Sequence, residues 1–153
     1  MRFSGKVALV TGASGGIGQA IAHKLRDQDA IVITTDRENA DICGDLMDQT
    51  FCDRLPAQVI KIHGQLDILV NNAGVITRVK INEARDDDFA HTMAINVEAP
   101  FRLCRAAIGI MANAGGRCDR QYSKLLGAPS RAGSSDLCHV KSGNCIAYSM
   151  SGA

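Results

Sequence analysis

The stretch Thr11-Gly12-Ala13-Ser14-Gly15-Gly16-Ile17-Gly18 decides how this chain is read. Before it stands Val7-Ala8-Leu9-Val10, a short apolar run of the kind that forms a buried parallel strand. After it Ile17, Ala20, Ile21 and Leu25 recur at helical spacing, the stripe of a helix packed on a sheet. Glycines between a strand and a helix let the backbone turn tightly and approach a pyrophosphate, which the free N–H groups of the helix N-terminus attract. A glycine-rich run alone is often only a turn. Its place between strand and helix points to nucleotide binding.

The pattern continues. Ile31 to Thr35 is a β-branched strand that ends at Asp36, and Asp41-Ile42-Cys43 is a shorter strand that ends at Gly44-Asp45-Leu46. Phe51, Leu55, Val59 and Ile62 keep helical spacing, with a break expected at Pro56. Asp67 to Val70 forms another buried strand, closed by Asn71-Asn72-Ala73-Gly74. A long helical region follows, in which Phe89, Met93 and Val97, then Phe101, Cys104, Ile108 and Met111, are expected to face inward. This alternation predicts an α/β fold, a Rossmann-like doubly wound parallel sheet. It stops after Arg117. Residues 118–153 sustain neither period, so the sheet is expected to be truncated after about four strands and to carry an irregular C-terminal tail.

Asp36 lies 18 residues beyond Gly18, where a carboxylate accepts both ribose hydroxyls of NAD and repels the 2′-phosphate of NADP. A turn or helix-capping Asp is the plainer alternative. Arg37 follows it and softens the repulsion, so NAD is expected as cofactor and NADP less so. Seventeen basic against 16 acidic side chains give no electrostatic case for nucleic acid or an anionic membrane. No apolar run reaches the length of a membrane span, and the start of the chain shows no signal-peptide pattern, so a cytoplasmic location is expected. The cysteines at 43, 52, 104, 118, 138 and 145 form no compact chelating pattern, with or without His139, and no metal is expected.

On these residues the first 117 positions resemble the short-chain dehydrogenase/reductase family. Gly12, Gly16 and Gly18 match its T-G-x-x-x-G-x-G spacing, Asp45-Leu46 its adenine-contacting pair, and Asn71-Asn72-Ala73-Gly74 its N-N-A-G. Asn96, in Ala94-Ile95-Asn96-Val97, matches the helix Asn that holds a water in the family's proton relay. The resemblance implies an oxidoreductase that interconverts an alcohol and a carbonyl by hydride transfer with NAD(P). It implies cofactor contacts at Gly12, Ser14, Gly16, Ile17, Gly18, Asp36, Asp45, Leu46, Asn72, Ala73 and Gly74, and a catalytic role for Asn96. It also implies a strand order of 3-2-1-4, a small-molecule alcohol or carbonyl substrate, and a homo-oligomer built partly on the helix around Ala99–Ala112. In a truncated chain the strand Asp67–Val70 would be left as an exposed edge.

The family also carries a Ser about 28 residues after that Asn, and a Y-x-x-x-K 13 residues later. A phenol needs the neighbouring cation to move protons near neutrality. Tyr122 is followed four places on by Leu126 and Tyr148 by Gly152, so no Y-x-x-x-K occurs in the chain. Tyr122, Ser123 and Lys124 are adjacent and cannot reproduce the spacing. If residues 118 onward are back-translated with free choice of synonymous codons and read one nucleotide later, they give AIVNIASCW and then YATSKAAIAS. In that frame the Ser falls 28 positions after Asn96 and the Tyr 13 after the Ser. The expected organisation is therefore a dinucleotide-binding domain over 1–117 and an out-of-frame or disordered tail over 118–153. The chain as written is expected to be inactive, lacking the Ser and the Y-x-x-x-K. The alternatives are a non-catalytic nucleotide-binding remnant or interaction protein, and a sugar-nucleotide epimerase, which the glycine spacing disfavours.

Overall fold

In a computed structural model, residues 2–113, 117–123 and 145–150 are described, the last two segments by their backbone alone. Strands β1 (Val7–Thr11), β2 (Ile31–Asp36), β3 (Ile42–Cys43) and β4 (Ile68–Val70) alternate with helices α1 (Gly16–Arg26) and α2 (Gln49–His63). Beyond β4 come α3 (Asp86–Met93), a π-helical segment Ala94–Glu98 and α4 (Ala99–Asn113), then β5 (Arg117–Ser123) and β6 (Cys145–Met150).

The sheet order is β3-β2-β1-β4-β6-β5. Its first four strands are parallel, with Val7 opposite Ile31, Leu9 opposite Leu69 and Thr35 opposite Ile42. The doubly wound parallel sheet and its 3-2-1-4 order are thus as expected. The strand Asp67–Val70 is not an edge: β6 pairs with it antiparallel, Ile68 opposite Tyr148, and β5 pairs with β6 in turn. Those two strands fall in a stretch without sequence period, because an antiparallel pairing needs only open backbone donors and acceptors. The rest of the expected tail, including Lys124, Cys138 and His139, lies outside the described residues.

The pleat sends alternate side chains to opposite faces, and each face is covered. Val7, Leu9, Ile33 and Leu69 meet Cys52, Leu55 and Val59 of α2 and Leu103, Cys104, Ala107 and Met111 of α4. Ala8, Val10, Val32, Ile68 and Val70 meet Ala22 and Leu25 of α1 on the other face. At the amino ends of β1 and β4, Asp67 accepts from the Val7 N–H at 2.8 Å and from Lys6 Nζ at 3.1 Å. Asp41 closes the outer flank of β2: its Oδ2 accepts from the Thr34 N–H at 2.8 Å and the Thr34 hydroxyl at 2.7 Å.

Three helical expectations need correction. The buried stripe of α1 is Gly18, Ala22 and Leu25, while Ile17 is 72% exposed and Ala20 is exposed too, because the face toward the sheet runs through Gly18, one residue on from the position the apolar spacing takes as its start. Helix α2 runs unbroken through Pro56, whose ring is fully buried beside Leu55 and Val59, and Ile62 is 65% exposed. Packing of that ring offsets the missing backbone donor. Phe89, Met93 and Phe101 are exposed, and the inward face of α4 is Ala99, Leu103, Cys104, Ala107 and Met111. Helix α3 buries none of its residues, so Phe89 and Met93 have no inward face to share, and Phe101 lies off the stripe of α4 that Leu103, Cys104, Ala107 and Met111 bury. Between the two helices the Ala99 N–H reaches back to the Ala94 carbonyl, a π-turn that joins them without one continuous stripe.

Candidate functional site

Thr11, the last residue of β1, is the hub of the site. Its hydroxyl oxygen accepts from the N–H groups of Asn72 and Ala73, each at 3.0 Å. Asn72 Nδ2 returns the contact, donating to the Thr11 carbonyl at 3.1 Å and the Gly12 carbonyl at 3.0 Å. The exits of β1 and β4 are thereby fixed to each other. The turn is also tied to β2, since the Gly12 N–H donates to the Thr35 carbonyl at 2.8 Å.

This closeness excludes side chains. Gly12 has φ +64°, and a Cβ there would stand 2.8 Å from Ala73 Cα. At Gly18 a Cβ would stand 2.1 Å from the Gly12 carbonyl oxygen and 2.5 Å from Asn72 Nδ2. Helix α1 therefore presses its first turn against the β1 exit. Its N-cap is Gly15, with no side-chain cap, so the N–H groups of that turn point out of the strand ends unoccupied by a capping side chain.

Asp36 ends β2 beside this turn. Its Oδ2 accepts from the Ser14 N–H at 3.0 Å and the Ser14 hydroxyl at 2.7 Å, and its Oδ1 from the Arg37 N–H at 2.8 Å. Burial raises its carboxyl, but these hydrogen bonds and the Arg37 charge outweigh burial and hold it below the ordinary carboxylate range. Asp45 Oδ1 accepts from the Met47 N–H at 2.8 Å, which fixes the loop that carries Leu46. Asn96 sits in the π-helical segment and pairs with Val75 as a strand would. Its Oδ1 accepts from the Val75 N–H and its Nδ2 donates to the Val75 carbonyl, both at 2.8 Å.

Together these elements border a cleft of about 340 Å³ at the carboxyl ends of the parallel strands. Gly12, Asp36, Asp45, Leu46, Asn72, Ala73 and Gly74 line it, as does Arg37. Ser14 adjoins it through Asp36, and Gly16, Ile17 and Gly18 form the helix start next to Gly12. Asn96 stands behind the lining, where a Cβ on Gly74 would meet its Oδ1 at 3.3 Å. Gly44, Val75, His91 and Ile95 also line the cleft and went unread in the sequence. The four-residue interval between His91 and Ile95, which puts them on one helical face, is the signal that points to them. Among the described residues no three His, Cys, Asp or Glu side chains gather as metal ligands, and no helix is long and apolar enough to cross a membrane.

The model of the short chain dehydrogenase family matches residues 6–149, running past residue 117 where the sequence motifs end. An uncharacterized oxidoreductase of Thermotoga maritima is 34% identical over 151 residues, covering 86% of this chain and 59% of that protein. The 3-oxoacyl-[acyl-carrier-protein] reductase FabG of Salmonella typhimurium is 33% identical over 167 residues, 99% of this chain and 67% of the relative. A metagenomic short-chain oxidoreductase solved in complex with NADP superposes with a TM-score of 0.69 at 32% identity, over 74% of this chain and 60% of that one. A short chain dehydrogenase from Burkholderia cenocepacia, also in complex with NADP, gives 0.69 at 33% identity over 72% of this chain and 52% of its own. The chain thus spans about three fifths of the length of the relatives it matches.

Proposed function

Because the chain belongs to the short-chain dehydrogenase family, we propose that it is the nucleotide-binding part of an NAD(P)-dependent oxidoreductase acting on a small alcohol or carbonyl. In this reading the cleft holds the adenosine half of the cofactor. The first turn of α1 and Gly12, Gly16, Ile17 and Gly18 receive the pyrophosphate. Asp36 takes the ribose, and Asp45 with Leu46 the adenine. Asn72, Ala73 and Gly74 form the floor, and Asn96 holds the following backbone at Val75. The bound nicotinamide would supply or accept the hydride. The observation that carries the proposal is Asp36 at the end of β2, hydrogen-bonded to the glycine turn at Ser14 and sharing one cleft with Gly12, beside a helix α1 that starts without a capping side chain. A carboxylate there favours NAD over NADP.

We further propose that this chain binds nucleotide without turning a substrate over. General acid–base catalysis is worth roughly 10²–10⁴-fold, and no Y-x-x-x-K is present to provide it. The division at 117, with 118–153 as out-of-frame text, belongs to the same proposal. Its support is the recovery of two motifs at both family intervals one nucleotide on.

Calorimetric titration of the purified chain with NAD and NADP tests binding, and cofactor reduction with a panel of secondary alcohols tests turnover. Binding of NAD without reduction is the expected result. Absence of binding to either nucleotide, or any turnover, would overturn the corresponding half. Sequencing the DNA across codons 110–125 and onward decides the tail: a +1 frame without the Tyr and Lys would sink the frameshift reading.

A further inference from the structure

An ionised carboxylate offers about four acceptor positions, two on each oxygen. At Asp36 three of them are taken by this chain's own donors: the Ser14 N–H and hydroxyl on Oδ2, and the Arg37 N–H on Oδ1. A ribose diol brings two hydroxyls and needs two acceptors. One position is open, so the second hydroxyl must displace a donor. The two backbone N–H groups are fixed by the turn and by the end of β2. The Ser14 hydroxyl is a rotor on an exposed residue and is the donor that can leave.

We propose that Ser14 sets how the cleft weighs a nucleotide with a free ribose diol against one carrying a 2′-phosphate, by competing with the diol for Asp36. This deepens the nucleotide-binding reading above and rests on it. Toward the diol, the Ser14 hydroxyl is a competitor at 2.7 Å on Oδ2. Toward a 2′-phosphate it acts in the opposite sense. While bonded it offsets part of the Asp36 charge, and when it turns away it becomes a donor to the phosphate. Arg37 lines the same wall and supplies the positive charge. Both effects narrow the preference that the Asp36 carboxylate alone would impose, which makes Ser14 a positioning residue for specificity.

The test compares the full chain with S14A and S14G, which both lack the hydroxyl, and S14T, which keeps it. Dissociation constants for NAD and NADP are measured by calorimetry, with circular dichroism to verify folding. The expected result is that the ratio of the NADP to the NAD constant rises about tenfold in S14A and S14G, the scale of one hydrogen bond to a charged group, and returns in S14T. A ratio unchanged within about twofold would overturn the proposal, and so would equal weakening of both nucleotides, the mark of a merely structural residue. An unaltered chain that binds neither nucleotide would instead defeat the nucleotide-binding reading itself, and the Ser14 proposal with it.

Discussion

Replacing Gly18 by Ala should disable the cleft, and the size of the effect follows from two contacts. The added Cβ would lie 2.1 Å from the Gly12 carbonyl oxygen, whereas a carbon and an oxygen in contact settle near about 3.3 Å. The turn or the helix must therefore retreat by about 1 Å, a strain of about 1–3 kcal/mol in a closely packed site. The same Cβ stands 2.5 Å from Asn72 Nδ2, so Asn72 cannot keep its bonds to the Thr11 and Gly12 carbonyls. Each bond contributes about 0.5–1.5 kcal/mol, which brings the loss to about 2–6 kcal/mol. Two neighbours are built-in controls. A Cβ on Gly15, whose φ of −168° is ordinary extended backbone, meets nothing within 4 Å. Gly16 is equally open but has φ +57°, so alanine there carries only the left-handed penalty of about 1–2 kcal/mol. Urea unfolding followed by NAD titration of the three variants should rank them Gly15→Ala, Gly16→Ala, Gly18→Ala in increasing damage. A Gly18→Ala chain as stable and as well liganded as Gly15→Ala would refute the packing argument.

Asn96→Ala should lower stability by about 1–3 kcal/mol in urea unfolding, because it strands both the N–H and the carbonyl of Val75. N96D, which keeps only the acceptor, should fall between the two. The Cys52 thiol is pushed up to about 11, first by burial and then by the Asp53 charge. Its folded value lies above the ordinary 9.0, so its contribution is complete below pH 9 and lost as the pH rises through 11. Alkaline unfolding should flatten over that window in Cys52→Ala, and peptide mapping after brief alkylation should find the exposed Cys43 modified but Cys52 and Cys104 protected. Asp41 runs the other way: burial raises its carboxyl, but the Thr34 donors and the Arg26 and His63 charges outweigh it and bring it below 3.8. Its contribution is present above about pH 4 and lost as the pH falls through the folded value. Asp41→Asn should thus be less stable than the native chain at pH 6, with the gap closing below about pH 4.

The strands were legible because burial on both faces leaves an unmistakable trace: Val7–Val10, Ile31–Thr35 and Asp67–Val70 read as apolar runs, and each is a strand. The cleft residues at the strand ends were legible for a related reason, since a turn that tolerates no Cβ at Gly12 or Gly18 must show glycine in the sequence. Helix faces were harder. A stripe counted from Ile17 follows the apolar side chains, whereas the face of α1 toward the sheet starts at Gly18, which has no side chain to mark it. Phe89 and Met93 keep an apolar helical spacing on a helix that buries none of its residues, which spacing alone does not reveal. Pro56 marks a missing donor, but only the fold reveals a buried place for its ring. His91 reaches the cleft through tertiary folding, from a helix with no strand-end signature, and Val75 follows directly on the strand end at Asn71–Gly74. β5 and β6 pair through backbone, which side-chain patterns do not record.

The clasp of Asp41 on Thr34 has a consequence for how copies of this protein can meet. Beyond β2 the sheet ends in a strand of two residues, Ile42–Cys43, and a border so short leaves the donors of β2 in reach of any extended chain. The Asp41 carboxylate occupies the Thr34 N–H just where β3 has not yet begun. A foreign strand arriving at that margin finds its first docking point filled and a negative charge in its path. Strand addition is disfavoured at this point of the border, and growth of the sheet from chain to chain meets less opposition at the opposite margin, at β5.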